Sequence, residues 1–558
     1  MSERSERLLV QFGQIRAGIV EEADEAVPGP AGKRPAWKRW AAMAAGLAIV
    51  LFTAGVLTGV IPLLQIGGNA GGEGVNPTNS GPTTFMSYAG PVFPLTLRSE
   101  NDSITAERDI TLDFLPWTPE WLSNEDMADQ HFDRTEAEWQ ELLEQYREWF
   151  PDGGYWQSST DILVTDRYRL TNTSGEDRTL TVLYPFAGKL YGLNKTRPVL
   201  TADGAELETV LHAGGYAGGY EGVWHGTIGG GKDEGSVNLK YPDNWEDYRD
   251  ALAGGSYLAN ALGDYPDLSG IPAVVYELTD PWGEERDDKA GRPNPTIRVD
   301  FELDYEKTAV LSYGFNGFAL DREKGRMDVQ FSIPQPRDKS YGDVPEIYYL
   351  IVIGDDVENL TTQGYVTGGW DTEKTIEAGV TVRRYGTDLE SVLRQAAGEM
   401  YQFWESTPND TGGFEMYFGL LKGWLVTDGA LSGDPAERYG TGALEDNDVR
   451  NADRVFYLEA EVTVPAGGSV QLTAEMIREG SHDFYCTHTR NQGVYGYDMV
   501  TELGSNLTCT AQRAAIEDWG LIEIVRQNFG FDLKNGVKTV DLDPGQEHYY
   551  LEVRGVKK

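Results

Sequence analysis

A chain of 558 residues, 40% apolar and 11% aromatic, has globular composition and exceeds what one hydrophobic core fills, so two or more folded units are expected. Its formal net charge of −42 denies it the basic footprint that phosphate backbones require, which excludes nucleic acid as a partner.

The first predicted element lies in ERLLVQFGQIRAGIVEEADEA. Leu8, Phe12, Ile15 and Ile19 step by four, three and four, giving a short helix with one apolar stripe, ended by acids and Pro28. With no domain to cover it, the stripe reads as a surface for a cytoplasmic protein, a second copy or the inner membrane face; the scarcity of basic residues disfavours lipid.

Between Ala41 and Gly72 there is no Asp, Glu, Lys or Arg. As a helix, residues 41–64 would be about 36 Å long, enough to cross a hydrocarbon layer of about 30 Å with some tilt. Lys33, Arg34, Lys38 and Arg39 precede the run, and the next basic residue is Arg98. That asymmetry makes residues 1–40 cytoplasmic, 41–64 a single uncleaved transmembrane helix, and the remainder extracellular on the cell membrane. Residues 1–40 hold seven basic and six acidic side chains, leaving 40 basic and 83 acidic beyond them. The acidity therefore belongs to the outer part, where it favours solubility and repels anionic polymers. The acids read as a solvated surface rather than a calcium site; no metal or cofactor is expected.

Residues 65–85, rich in Gly, Asn, Pro and Thr, predict a flexible spacer. Alternating runs follow. ITLDFL is a strand, DILVTDRYRLTNTSGEDRTLTVLYPF reads as a hairpin around NTSGED, and VLTADGAELETVL as strands around an Asp-Gly turn. TIRVDFELDYEKTAVLSYGF, GRMDVQFSIP and EIYYLIVIGDD add further strands. Helical spacing is confined to Trp139–Trp149, to NWEDYRDALAGGSYLANAL weakened by Gly254 and Gly255, and to Leu389–Phe403 and Phe414–Leu431, the former capped by Asp388. RVFYLEAEVTVPAGGSVQLTAEM and VKTVDLDPGQEHYYLEVR share a strand, Pro-Gly turn, strand layout. The predicted class is mainly β, with antiparallel sandwich-like domains and a few inserted helices. The predicted division is a β-rich domain over 86–385, a helical insertion or bridge over 386–452 and a C-terminal β-rich domain over 453–558.

Chemistry is sparse. GTIGGGKD, Gly226 to Asp233, has most of a phosphate-loop spacing, but Asp233 replaces the metal-holding hydroxyl and no strand and helix flank it. His212, Tyr216, Tyr220, Trp224 and His225, interleaved with glycines, are the candidate ligand surface; the competing reading is a loop packed on its own domain. His482, Asp483, Cys486 and His488 crowd SHDFYCTHT but are read as an ordinary polar strand face. Cys486 and Cys509 either form a disulfide across a loop of about 24 residues or stand as two buried thiols. EDNDVRNAD reads as a solvated loop. No G-x-S-x-G, H-E-x-x-H or C-x-x-C motif occurs.

LLVQFGQIRAGIVEEADEA followed by KRPAWKRWAAMAAGLAIVL resembles the N-terminus of single-pass membrane proteins of Gram-positive anaerobic bacteria, with a layout similar to sigma-linked regulators. ITAERDITLDF, TDRYRLTNTSGEDRTLTVLYPFAG and NQGVYGYDMVTELGSNL resemble a family of uncharacterised extracytoplasmic proteins from the same bacteria. The resemblance implies an anchored β-rich ectodomain and brings no activity or site residues. The cytoplasmic segment departs from zinc-type anti-sigma domains by lacking His and Cys. The expected function is extracytoplasmic binding or sensing without catalysis, signalling through the N-terminus; the alternative is an anchored hydrolase acting on carbohydrate.

Overall fold

The computed structural model describes residues 89–556 apart from 130–135, 217–248, 251, 288, 336–346, 369–373, 406–411, 428, 430, 432–442, 448, 483–492 and 544. The predicted N-terminal helix, membrane span and spacer lie outside these residues. Among those described, no helix is long and apolar enough to cross a membrane. The chain forms two compact units, drawn differently from the three-part division expected above. One takes residues from 266–410 and 421–447; the other takes residues before 266, 411–420 and everything from 448 onward. Residues 453–558 thus share a unit with the strands before 266.

The 266–447 unit has two antiparallel sheets. One runs Thr308–Tyr313, Ile347–Gly354, Pro272–Gly283, Ala378–Asp388; the other runs Gly317–Asp321, Arg326–Ser332, Thr296–Glu302, Glu358–Tyr365, Thr375–Ile376. Period-two alternation sends Ile297, Val299 and Phe301 from one sheet and Tyr348, Leu350 and Val352 from the other into a common core. The helix Leu389–Glu405 follows, and the Asp388 cap forms as expected: its Oδ1 accepts from Ser391 N at 2.9 Å. The second predicted helix is Gly413–Thr427, of which residues 421–427 belong to this unit.

The other unit is built on a sheet in the order Thr539–Asp541, Thr508–Glu517, Ile104–Asp113, Ile162–Asn172, Ser469–Arg478, Val199–Ala202, Ala205–Glu206. All its pairs are antiparallel except Ile104–Asp113 with Thr508–Glu517, which is parallel. A second sheet runs Thr96–Leu97, Arg178–Gly188, Arg454–Val464, Val210–Tyr216, and a third runs Val494–Val500, His548–Gly555, Ile522–Gln527. The Asp-Gly turn is present: Ala202 pairs with Ala205, and Asp203 and Gly204 both take positive φ, the geometry of a two-residue hairpin loop. The helix predicted across 244–262 is broken at its glycines, with Gly255 at φ +67° opening the helix Ser256–Leu262.

The predicted hairpin around NTSGED is corrected. Ile162–Asn172 and Arg178–Gly188 lie in different sheets, so the turn is an arch that carries the chain from one layer to the next. Arg454–Val464 and Ser469–Arg478 form a second arch whose limbs pair with those of the first. The turns interlock: buried Asn172 donates to Glu176 O at 2.8 Å and Val464 O at 3.1 Å, and Gly467 N donates to Ser174 O at 3.0 Å. Strand, turn, strand was right; adjacency was not.

Beneath this double arch lies a buried ion pair. The Arg108 and Asp166 side chains are both 0% exposed, with Nε 2.9 Å from Oδ1. Nη2 donates to Asp166 Oδ2 and Phe93 O, Nη1 donates to Val500 O and Thr501 O, and the Tyr168 and Tyr184 hydroxyls donate to Oδ2 at 3.0 Å. These residues come from all three sheets and the segment leading into them, so the network fixes how the layers stack.

Candidate functional site

His212 sits on Val210–Tyr216 with Nε2 3.0 Å from Glu459 Oε2, a carboxylate that Arg98 also meets. It belongs to a charged row on the sheet. Tyr216 ends the same strand opposite Arg454. Tyr220, Trp224 and His225 lie outside the described residues, as do Leu8, Phe12, Ile15 and Ile19. Cys486, Asp483 and His488 also lie outside, and with Cys486 the choice between a disulfide and two thiols lies outside the described residues too. Cys509 is a half-buried thiol that burial pushes up to about 11. No group of three or more metal-ligating side chains occurs among the described residues.

Two other places gather function-bearing side chains. The first follows from strand register. Gly188 pairs with Arg454 and Ile162 with Arg478, so both arches end together and residues 161, 189, 453 and 479 emerge side by side. Lys189 Nζ is 3.6 Å from Asp453, while Lys195 Nζ is 2.9 Å from Asp161 and 3.1 Å from Glu479. Buried Arg478 lies alongside, donating to the carbonyls of Ala187, Ala89 and Gly90. Burial pushes the Asp453 carboxyl up to about 6 against the pull of Lys189, with Glu479 adding to the rise. Burial opposes ionisation of Glu479 too, but Lys195 outweighs it, with Lys189 and Arg478 behind, and holds that carboxyl below its usual range. Two neighbouring carboxyls driven in opposite directions are the pattern of an acid and a base. A small cleft lined in part by Ile162, Arg478, Glu479, Tyr497 and Asp498 opens here.

The Asp453 shift has a measurable sign. Its folded-state value lies above the ordinary 3.8, so its contribution to stability is complete below about pH 4 and is lost as pH rises through about 6. Asp453→Asn should therefore gain on the wild type by on the order of 3 kcal/mol between pH 4 and 7.5 in urea unfolding of the full chain. A difference between the two proteins that is constant over that range would mean Asp453 behaves as an ordinary solvated carboxylate.

The second place is a two-stranded ribbon, Glu120–Ser123 against Gly154–Gln157, with Trp121 directly opposite Trp156. Alternation turns Leu122 inward at 8% exposure and leaves Trp121 40% and Trp156 64% exposed. The indole centroids are 5.5 Å apart at 67°. Gly154 permits the pairing: at φ +153°, a Cβ there would lie 2.2 Å from Leu122 O. The helices Asn124–Asp129 and Glu136–Trp149 connect the strands, the first opened by a reciprocal cap in which Asp126 Oδ2 accepts from Ser123 N and Ser123 Oγ accepts from Asp126 N, both at 3.0 Å. Sequence reasoning missed this pair because the two residues are far apart in the chain. The signal available was a Trp in each of two short segments, PEWLS and GGYWQ, next to turn residues.

The described chain is thus a mainly β protein of several antiparallel sheets. No protein-family model and no curated protein matches the sequence significantly. Among solved structures it is similar to a Legionella pneumophila protein provisionally described as nutrient-binding, at 8% identity and TM-score 0.23 over 85% of this chain and 73% of the other. That similarity is too slight to transfer a ligand.

Proposed function

We propose that the chain is a single-pass, membrane-anchored extracytoplasmic binding or sensing protein without catalytic activity, linked to the cytoplasm through its N-terminal stripe. The Trp121–Trp156 pair carries the reading. Two indoles left open to water on one ribbon expose apolar surface at a cost that contact with a ligand would remove, and exposed aromatics of this kind dominate recognition surfaces. The uncharged run over 41–64 and the acidic remainder support the anchor and its orientation.

Cross-linking pull-down from native membranes tests it, using the full chain, a chain lacking residues 1–26, and the full chain with Trp121→Ala and Trp156→Ala. The expected result is that a cytoplasmic protein is lost only with residues 1–26, and an envelope component only with the tryptophans. Identical captures by all three would overturn the reading.

A second reading, an anchored hydrolase acting on carbohydrate, is favoured by one observation. Asp453, protonated up to about pH 6, neighbours Glu479, which is held ionised. One could protonate a leaving oxygen while the other activates water. Against this, lysines contact both carboxylates. Under this reading Asp453→Asn abolishes release of reducing sugar from envelope polysaccharide; under the binding reading neither protein releases any.

A further inference from the structure

We infer that the Trp121–Trp156 corner binds a methylated ammonium group, an organic cation carried by a small molecule or a polymer. This rests on the binding reading and names its ligand class. Indole is the best aromatic partner for a cation, and the attraction holds to about 6 Å from the ring centroid. With centroids 5.5 Å apart and rings at 67°, one cation seated in the corner lies within reach of both. Elsewhere the protein fills such positions itself: Arg298 lies 4.6 Å over Tyr365 and Arg450 5.5 Å over Tyr191. Among the described residues no arginine or lysine lies over either indole of the corner.

Charge selects the sign of the occupant. Residues 118–158 carry 11 acids and two arginines, and one of these, Arg147, is 2.8 Å from Glu125. Several acids lie within a few residues of the ribbon, so the local potential attracts cations and rejects anions. Geometry then selects among neutral and cationic ligands. A sugar ring stacks on a flat aromatic face, and two indoles at 67° offer a corner instead. The pairs on either side, Glu120 with Gln157 and Leu122 with Tyr155, fall on the opposite face of the ribbon by strand alternation. The corner thus gains no side-chain acceptor from its neighbouring pairs. A primary ammonium loses hydrogen bonds there, whereas a fully methylated, quaternary ammonium has none to lose.

Equilibrium dialysis of the full chain against labelled choline tests this, in a polyoxyethylene detergent that carries neither ammonium nor sugar. The comparison probe is 3,3-dimethylbutan-1-ol, the same shape without charge. The expected result is saturable choline binding, at least about tenfold weaker binding of the alcohol, a loss of about tenfold or more in Trp156→Ala, and partial retention in Trp156→Phe. Unchanged far-ultraviolet circular dichroism controls for folding. Equal binding of choline and the alcohol, or choline binding indifferent to both tryptophans, overturns the inference. If a neutral oligosaccharide instead saturates in a Trp156-dependent manner, the ligand class fails and the binding reading stands. If no probe depends on the tryptophans and the pull-down is also indifferent to them, both fail.

Discussion

Asp166→Asn is expected to destabilise its unit by roughly 3–5 kcal/mol, the cost of removing one partner of a buried ion pair. The substitution hardly changes volume, so the loss is electrostatic. Arg108 makes five hydrogen-bonding contacts to Asp166 and three backbone carbonyls with no part of its side chain exposed, and the neutral amide would leave a buried cation uncompensated. Burial works against the guanidinium's charge, but Asp166 outweighs it and keeps Arg108 ionised. Burial likewise holds Tyr168 and Tyr184 well above the usual phenol range, so both remain donors to the carboxylate. Replacing the pair together, as Arg108→Met with Asp166→Leu, should cost far less, because no orphaned charge is left. Urea unfolding of the full chain measures both. A single variant within about 1 kcal/mol of wild type would show that water reaches the pair.

The second large effect belongs to the other unit. Phe331→Ala should cost about 3–5 kcal/mol through lost burial and the cavity left behind, and Phe331→Leu clearly less. Phe331, on Arg326–Ser332, is 1% exposed and stacks on Tyr348, on Ile347–Gly354, at 4.1 Å and 26°. The stack joins the two sheets, and Phe315 closes it edge-on at 5.7 Å. Hydrogen exchange provides the local check: protection should fall first in Arg326–Ser332 and Ile347–Gly354. Loss confined to loops would mean the stack does not tie the sheets.

What could be read in advance were features whose causes lie within a few residues. Alternation in ITLDFL, present as far as Asp113, the Asp203–Gly204 turn and the Asp388 cap each depend on local geometry. Pairing depends on distant chain. Alternation says that Ile162–Asn172 and Arg178–Gly188 each have a dry face, but not which strand lies beside them, and a short polar turn serves an arch as readily as a hairpin. The same blindness applies to compact units, since a unit interrupted by another reads as two along the chain. The charged cluster and the tryptophan corner escaped for this reason as well: both are assembled by register between segments that the sequence leaves apart.

The double arch also sets a timetable for synthesis. Asn172 reaches Val464, 292 residues further on, so the first arch waits for its partner for on the order of 15–60 s at 5–20 residues per second. Every strand of the 266–447 unit finds its partners within that unit, and most of the wait is spent producing it. The later-starting unit can therefore finish first, while Arg178–Gly188 stands with one edge open and exposed to the wrong neighbour. Arrest or truncation just after residue 447 would leave a folded insert attached to a host that cannot close, and a nascent chain at that length is where chaperones would be needed most.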